Sequence, residues 1–168
     1  MNDAINIPKD PLNRFRDLYE ALNAERGWIG SCCLRFAAMT AVSCPGTSTE
    51  VATSIRNTAE DLKRLSGWFG QLNSPLRFIV SAILVLNGDR AQDFFHETER
   101  TRELFRDADL RRGGIYETMA ILILRMQNNR APVRVESIAR FKAIYEEMKR
   151  HHWWLTGPDD FPACAILV

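Results

Sequence analysis

A short apolar phrase recurs along the chain, and its recurrence is the clearest pattern in the sequence. It reads Ala-Ile-Leu-Val-Leu at 82–86, Ala-Ile-Leu-Ile-Leu at 120–124 and Ala-Ile-Leu-Val at 165–168, at intervals of 38 and 45 residues. An earlier copy is indicated by Leu-Arg-Phe at 34–36, which returns at 76–78 just before the first phrase. Self-similarity at about 40 to 45 residues is typical of two-helix solenoid repeats.

Residues that are typical of turns stand at the same distance before each of these phrases. A proline or glycine stands seven residues before each alanine, at Pro75, Gly113 and Pro158. Ser74 is expected to cap a helix that begins at Pro75. Gly113-Gly114 tolerates a positive φ between helices, and Asp159 or Asp160 is expected to cap the last helix. Each apolar phrase is therefore predicted to be an inner helix of a hairpin.

Between the phrases lie more polar segments whose apolar residues step by three or four, as in Val135, Ile138, Phe141, Tyr145 and Met148. These segments predict outer helices near 11–26, 48–70, 89–110 and 132–154. The inner helices are predicted near 29–43, 75–87, 114–128 and 160–168. No segment shows the alternation and hairpin turns of a strand.

The predicted fold is therefore all-α: about eight helices in stacked hairpins, forming an α-solenoid-like (HEAT/armadillo-like) right-handed superhelix. Residues 1–10 are expected to be a loose tail, and 11–168 a single helical-repeat domain. The last apolar phrase has no polar capping unit after it. This indicates either a piece of a longer solenoid or a protomer whose end is covered by another chain, so the isolated chain is expected to self-associate.

Charge and composition narrow the classes of partner. The 22 basic and 21 acidic residues give a net charge of +1, which provides no electrostatic argument for nucleic acid or an anionic membrane. Arginine outnumbers lysine 18 to 4, which indicates either selection for planar bidentate donors or the coding bias of a GC-rich genome. The first residues have neither the basic start nor the apolar stretch of a signal peptide, and no segment has the apolar length of a membrane span, so a cytoplasmic location is expected.

The four cysteines, Cys32, Cys33, Cys44 and Cys164, lack the paired spacing of a zinc site. They are interpreted as small buried hydrophobes in a reducing compartment. No nucleophile elbow, phosphate-binding glycine loop or metal-ligand motif is present, and neither a cofactor nor a metal is predicted. His96-Glu97 lacks the second histidine of a zinc helix, so His96 is expected on the surface of an outer helix.

The densest group of functional residue types is His151-His152-Trp153-Trp154, followed by Leu-Thr-Gly-Pro-Asp-Asp at 155–160. One interpretation is structural, because such residues can close a hairpin at a helix C-terminus. The other is a pocket in which Trp153 or Trp154 stacks on a flat ligand while His152 and Asp160 supply polar contacts.

Arg35, Arg77, Arg125 and Glu117 lie within otherwise apolar helices, where a charge must be paired or reach the surface. If Arg35 and Arg77 share a surface, they would line a concave groove that a carboxylate or phosphate could bridge. The alternative is that each arginine extends to solvent or pairs with a neighbouring carboxylate, for which Glu117 is a candidate. Trp28 and Trp68, 40 residues apart, are interpreted as core residues.

Taken together, the Leu-Arg-Phe helices, Arg-Arg-Gly-Gly at 111–114 and Leu-Thr-Gly-Pro-Asp-Asp-Phe-Pro at 155–162 resemble a bacterial family of domains of unknown function. The resemblance covers most of the chain and implies no reaction, ligand or functional residue. It implies that family members continue beyond the last residue of this chain.

The function expected from these features is a non-enzymatic interaction module that binds a protein or a second copy of itself. The alternative is a small-molecule or phosphate-containing ligand in a groove between repeats, with nucleic acid disfavoured by the charge. A third hypothesis makes the protein an enzyme in which Glu117, His152 and Asp160 meet across a cleft. The candidate site residues are therefore Arg35, Arg77, Glu117, His152, Trp153 and Asp160.

Overall fold

The computed structural model describes residues 7–24, 27, 29–67 and 70–168, and within them the protein is all-helical, with eight α-helices and no strand. The helices are α1 (Pro11–Asn23), α2 (Ser31–Thr40), α3 (Ser48–Ser66), α4 (Arg77–Leu86), α5 (Ala91–Asp107), α6 (Ile115–Gln127), α7 (Val135–His151) and α8 (Phe161–Ile166). Short 3₁₀ turns follow α2 at Ala41–Ser43 and precede α8 at Pro158–Asp160. The predicted all-α class and the eight predicted helices are confirmed.

Helix starts follow the local sequence at several of these sites. Asp10 accepts a hydrogen bond from the Asn13 N–H at 3.0 Å at the start of α1, and Thr47 forms a capping box with Glu50 at the start of α3. Gly114, with a φ of 56°, precedes α6 as the sequence predicts. The predicted Ser74 cap is wrong, because the Ser74 hydroxyl is buried without a hydrogen-bond partner and α4 begins only at Arg77.

The chain divides into two compact units, 1–92 and 93–168. In the first unit, α1 packs against α2 and α3, and α4 packs against α2 and α3. The pairs α1–α2 and α3–α4 are the two hairpins of this unit. Helices therefore make contact within each hairpin, and also between hairpins, where α1 packs against α3 and α2 against α4. Small fully buried residues, Ala37, Ala38, Ala52, Ala59 and Ala82, permit this close approach.

Two arginines join the first and third helices of this unit through backbone carbonyl groups. Arg14 on α1 donates to the Cys44 and Gly46 carbonyls at 3.1 and 2.8 Å, in the segment just before α3. Arg56 on α3 donates to the carbonyls of Ala21 and Leu22 in the last turn of α1. These bonds satisfy carbonyl groups that helix ends and loops would otherwise leave exposed or unpaired.

In the second unit, α8 packs against α6 and α7, and an aromatic cluster fills the core. The Phe161 ring lies 5.9 Å from Phe105 of α5, 5.3 Å from Phe141 of α7 and 5.1 Å from Tyr145 of α7, in each case edge to face. Gly113 lies so close to this ring that a Cβ there would come within 2.9 Å of it. The glycine before α6 is therefore required by close packing, which adds a reason to the one that the sequence indicates.

Three helices end in the same way, with a residue of positive φ followed by a backbone bond that spans six residues. The pairs are Gly88 (61°) with Asp89 N–H to Leu84 C=O, Asp109 (57°) with Leu110 N–H to Phe105 C=O, and Asn129 (51°) with Arg130 N–H to Arg125 C=O. This is the Schellman geometry, which satisfies the last carbonyl groups of a helix. Only the first of the three positions is a glycine.

The recurring phrases are equivalent at their alanines, since Ala82, Ala120 and Ala165 are all fully buried. The recurring Leu-Arg-Phe is not equivalent. Leu34 is buried and Arg35 is exposed on α2, whereas Leu76 is exposed and Arg77 is buried at the start of α4. The solenoid superhelix and the single repeat domain stay predictions, and Trp28 and Trp68 lie outside the described residues.

Candidate functional site

The most exposed aromatic surface of the described residues directly follows α7. Trp153, Trp154 and Leu155 are 71%, 65% and 68% exposed, and the two indole rings stand edge to face with their centroids 5.8 Å apart. We call these three residues the aromatic patch. Its backbone is held by a turn, because the N–H groups of Leu155 and Thr156 both donate to the His152 carbonyl at 2.9 Å. Large apolar side chains held this far out of a core are typical of contact surfaces.

A groove of about 500 Å³ lies beside the patch, between Trp153 and the last turns of α7. Its charged lining consists of Glu146, Glu147, Lys149 and Arg150. Glu147 accepts hydrogen bonds from Arg150 and from the His151 ring, the latter at 2.9 Å, and bonds from His151 and then Arg150 lower the pKa of the Glu147 carboxyl group. Glu146 and Lys149 have no ion-pair partner among the described residues.

The residues of the predicted pocket, Trp153, His152 and Asp160, differ in exposure and in hydrogen bonding. His152 and Trp153 are exposed, while the Asp160 carboxylate accepts the Gly157 N–H at 3.0 Å. This bond holds the 3₁₀ turn before α8, but the Asp160 side chain makes no capping bond to α8 itself, so the predicted cap of the last helix by Asp159 or Asp160 is wrong. Asp160 therefore has a structural role at the end of the loop that carries the patch.

Arg35 and Arg77 have different surroundings. The Arg35 guanidinium is exposed and lies 5.5 Å from the centre of the Tyr19 ring. Arg77 is 9% exposed; its Nη1 donates to the Ser74 carbonyl at 3.0 Å, and its Nη2 lies 3.8 Å from Glu60 Oε1. The two side chains share no partner in these contacts.

Glu117 is buried at the start of α6, where its Oε2 accepts the Gly113 N–H at 3.2 Å. The structure thus gives Glu117, His152 and Asp160 three different environments. Arg125, on the same helix as Glu117, is buried with 6% exposure. A Glu117 side chain bonded to the preceding glycine is well suited to hold the turn before α6.

A buried carboxylate that the sequence analysis missed is Glu97 on α5, which is 6% exposed. Its Oε1 accepts from Arg100 Nη2 at 2.7 Å, from Thr101 Oγ1 at 3.1 Å and from the Val133 N–H at 2.7 Å, and its Oε2 accepts from Arg100 Nε at 3.0 Å. Arg100 also donates to the Val133 carbonyl at 2.7 Å. Burial raises the pKa of Glu97, but the bonds from Arg100 and Val133 outweigh it and hold the pKa below its ordinary value. The neighbouring His96 is exposed, as predicted.

The cysteines divide by exposure. Cys44 and Cys164 are buried as predicted, and burial raises the pKa of Cys164 to about 11. Cys32 contradicts the prediction, because it is exposed near the start of α2, and Cys33 beside it is only half-buried. Among the described residues, no three histidine, cysteine or acidic side chains are grouped as a metal site would require, and no helix is long and apolar enough to cross a membrane.

Comparison with known proteins places this all-helical chain in a family. Residues 18–168 match the family described as "Protein of unknown function (DUF4003)", and because the match covers most of the chain, the protein belongs to that family. The bacterial family of unknown function indicated by the sequence is thereby confirmed.

A curated relative is "Uncharacterized protein YeaA" of Bacillus subtilis (strain 168), which is 28% identical over 112 residues. The match covers 63% of this chain and 32% of the relative, so this chain spans less than two thirds of the relative's length. No solved structure matches.

Proposed function

We propose that the protein is a non-enzymatic helical-repeat interaction module, with its hairpins in an α-solenoid-like array, and that it self-associates through the aromatic patch. The observation that carries the proposal is the exposure of Trp153, Trp154 and Leu155, each at 65% or more. Burying such side chains between two proteins removes a large apolar area from water, at about 25 cal/mol per Å². Tryptophan is also among the residues that contribute most at protein interfaces.

A second copy of the chain is the partner that fits the surroundings of the patch. The adjoining groove carries two acidic and two basic side chains, so it favours neither a strongly acidic nor a strongly basic partner. A two-fold interface brings the same surface together twice and therefore requires self-complementary charges. Glu146 of one copy and Lys149 of the other meet that requirement.

Sedimentation velocity at tens of micromolar tests the proposal. We expect the wild-type chain to form a dimer and the double variant Trp153→Ser/Trp154→Ser to remain a monomer, since each tryptophan at an interface centre is worth about 2 kcal/mol or more. The matched control is Phe36→Ser/Met39→Ser, which removes two exposed apolar side chains from α2. A wild-type chain that is monomeric at this concentration, or equal dissociation of both double variants, would contradict the proposal.

Charge exchange tests the two-fold arrangement separately. Glu146→Lys should weaken the dimer by placing like charges together, and Glu146→Lys combined with Lys149→Glu should restore it. If the combined variant is weaker than the single variant, the charges do not meet across a two-fold axis.

A further inference from the structure

Arg77 has an incomplete set of hydrogen bonds for a buried guanidinium group. Its Nη1 donates to the Ser74 carbonyl, while its Nε is buried without an acceptor and its Nη2 lies 3.8 Å from Glu60 Oε1, beyond hydrogen-bond distance. Nε and Nη2 form the edge of arginine that binds two oxygens of a carboxylate or phosphate side by side. A buried donor left without a partner is costly, so this edge favours an acceptor.

The position opposite this edge is held loosely by an exposed carboxylate. Glu60 lies 3.8 Å from Arg77 Nη2 and also 3.8 Å from Lys63 Nζ, and its side chain is 62% exposed. It therefore stands between two cations without a close bond to either. Glu60 also lines a groove of about 290 Å³, together with Lys63, Arg64, Gly67 and Asn73. Arg77 is not part of this lining, so a ligand in the groove reaches Arg77 only where the Glu60 side chain moves aside.

We propose that this groove is a binding site for a phosphate group, in which the phosphate takes the place of the Glu60 carboxylate and is held by Arg77 and Lys63. The choice of phosphate over a carboxylate follows from Glu60 itself. An attached carboxylate has a high effective concentration at its own site, so a free carboxylate of equal charge competes poorly with it. A phosphate dianion has more charge and more acceptor oxygens, and it fills the arginine edge and the lysine together.

The site is independent of the proposed self-association, because its residues lie in the first unit and the aromatic patch lies in the second. It also differs from the groove that the sequence analysis anticipated. In the proposed site the phosphate is held by Arg77 together with Lys63 on α3, whereas Arg35 lies against Tyr19.

The test is a titration of the full chain with inorganic phosphate at fixed ionic strength, followed by the ¹⁵N–¹H signals of the arginine side chains and the backbone. We expect a saturable shift of the Arg77 Nε–H signal. Glu60→Gln should tighten binding about threefold to fivefold by removing the competing carboxylate, and Lys63→Ala should weaken it by a similar factor, as for exposed charge pairs. Titration with glycerol phosphate then distinguishes a site for a phosphate ester from one for free phosphate.

The matched control is Arg35→Gln, which changes the arginine of the identical Leu-Arg-Phe tripeptide and should leave phosphate binding unchanged. Glu60 and Lys63 are both substantially exposed, so the two test variants are expected to fold. The proposal is overturned if phosphate produces no saturable shift at Arg77. It is also overturned if Glu60→Gln leaves or lowers the phosphate affinity, because phosphate would then not be binding in the place of the Glu60 carboxylate.

Discussion

The Glu97 network offers the sharpest test of how the second unit is held together. Glu97 joins α5 to the segment before α7 by accepting the backbone N–H of Val133, while Arg100 donates to the carbonyl of the same residue. Glu97→Ala removes the acceptor for Val133, Thr101 and Arg100 together. Glu97→Gln keeps one oxygen in place but presents an amide NH₂ group in place of the other.

The expected cost of each substitution follows from the bonds that it breaks. In Glu97→Ala the buried Val133 N–H loses its acceptor, at about 1–3 kcal/mol, and the charge-assisted bonds from Arg100 are lost as well. The Thr101 hydroxyl group can rotate to a backbone carbonyl, so it adds little. We expect a total of about 3 kcal/mol for Glu97→Ala and about 1 to 2 kcal/mol for Glu97→Gln, which loses chiefly the charge assistance and the bond from Arg100 Nε.

Urea unfolding followed by circular dichroism measures these losses, and hydrogen exchange of the Val133 amide reports on the broken bond directly. Glu103→Ala on the same helix is the control, since the Glu103 side chain is 73% exposed and its ion-pair contact with Arg106 is long, at 3.8 Å. It should change stability by less than about 0.5 kcal/mol. The reasoning is refuted if Glu97→Ala costs no more than Glu103→Ala, or if exchange at Val133 is not accelerated.

Three further predictions concern pH, a helix end and the core. The folded protein lowers the pKa of Glu97, so the ionised carboxylate stabilises the fold at any pH above the pKa of about 4.3 that Glu has in the unfolded chain. This stabilisation is lost as the pH falls below that value. Glu97→Gln should therefore make the free energy of unfolding less dependent on pH in the acid range. Asp109→Gly should stabilise the protein by about 0.5 kcal/mol in thermal unfolding because Asp109 has a φ of 57°, whereas Glu103→Gly inside α5 should cost about 1 kcal/mol. Phe161→Ala should cost about 3–5 kcal/mol in urea unfolding, since its ring is fully buried among three aromatic rings; a loss below 1 kcal/mol would contradict the packing described.

The helices could be predicted because two independent signals agree at several of them. Apolar residues at helical spacing define the buried face, and proline, glycine and capping residues mark the ends, as at Asp10-Pro11 and Thr47. The alanine that opens each apolar phrase was informative because only a small side chain allows neighbouring helices to approach closely. These are local properties, which a sequence expresses directly.

The surroundings of the charged residues could not be predicted in the same way. Identical Leu-Arg-Phe tripeptides differ in exposure because the second one lies at the first turn of α4, whereas the first lies inside α2. Each residue along a helix turns the side chain by about 100°, so a shift of one position exchanges a buried side for an exposed one. Glu97 was missed since its partner Val133 lies 36 residues away and contributes only backbone atoms. The exposure of Trp153 likewise depends on how the helices pack, which its local sequence does not express.

Arg14, Arg56 and Arg100 all donate to main-chain carbonyl groups in a distant segment of the chain, and Arg14 also donates to Ser48 Oγ at 2.9 Å. Because every amino acid offers the same carbonyl oxygen, these bonds do not themselves require a particular residue at the accepting positions. Other constraints act there, since Leu22, Cys44 and Val133 are buried and Gly46 has a φ of 94°. A deleted or inserted residue, by contrast, would move the oxygen out of reach. Among relatives of this protein, the segments before α3 and α7 should therefore keep their lengths.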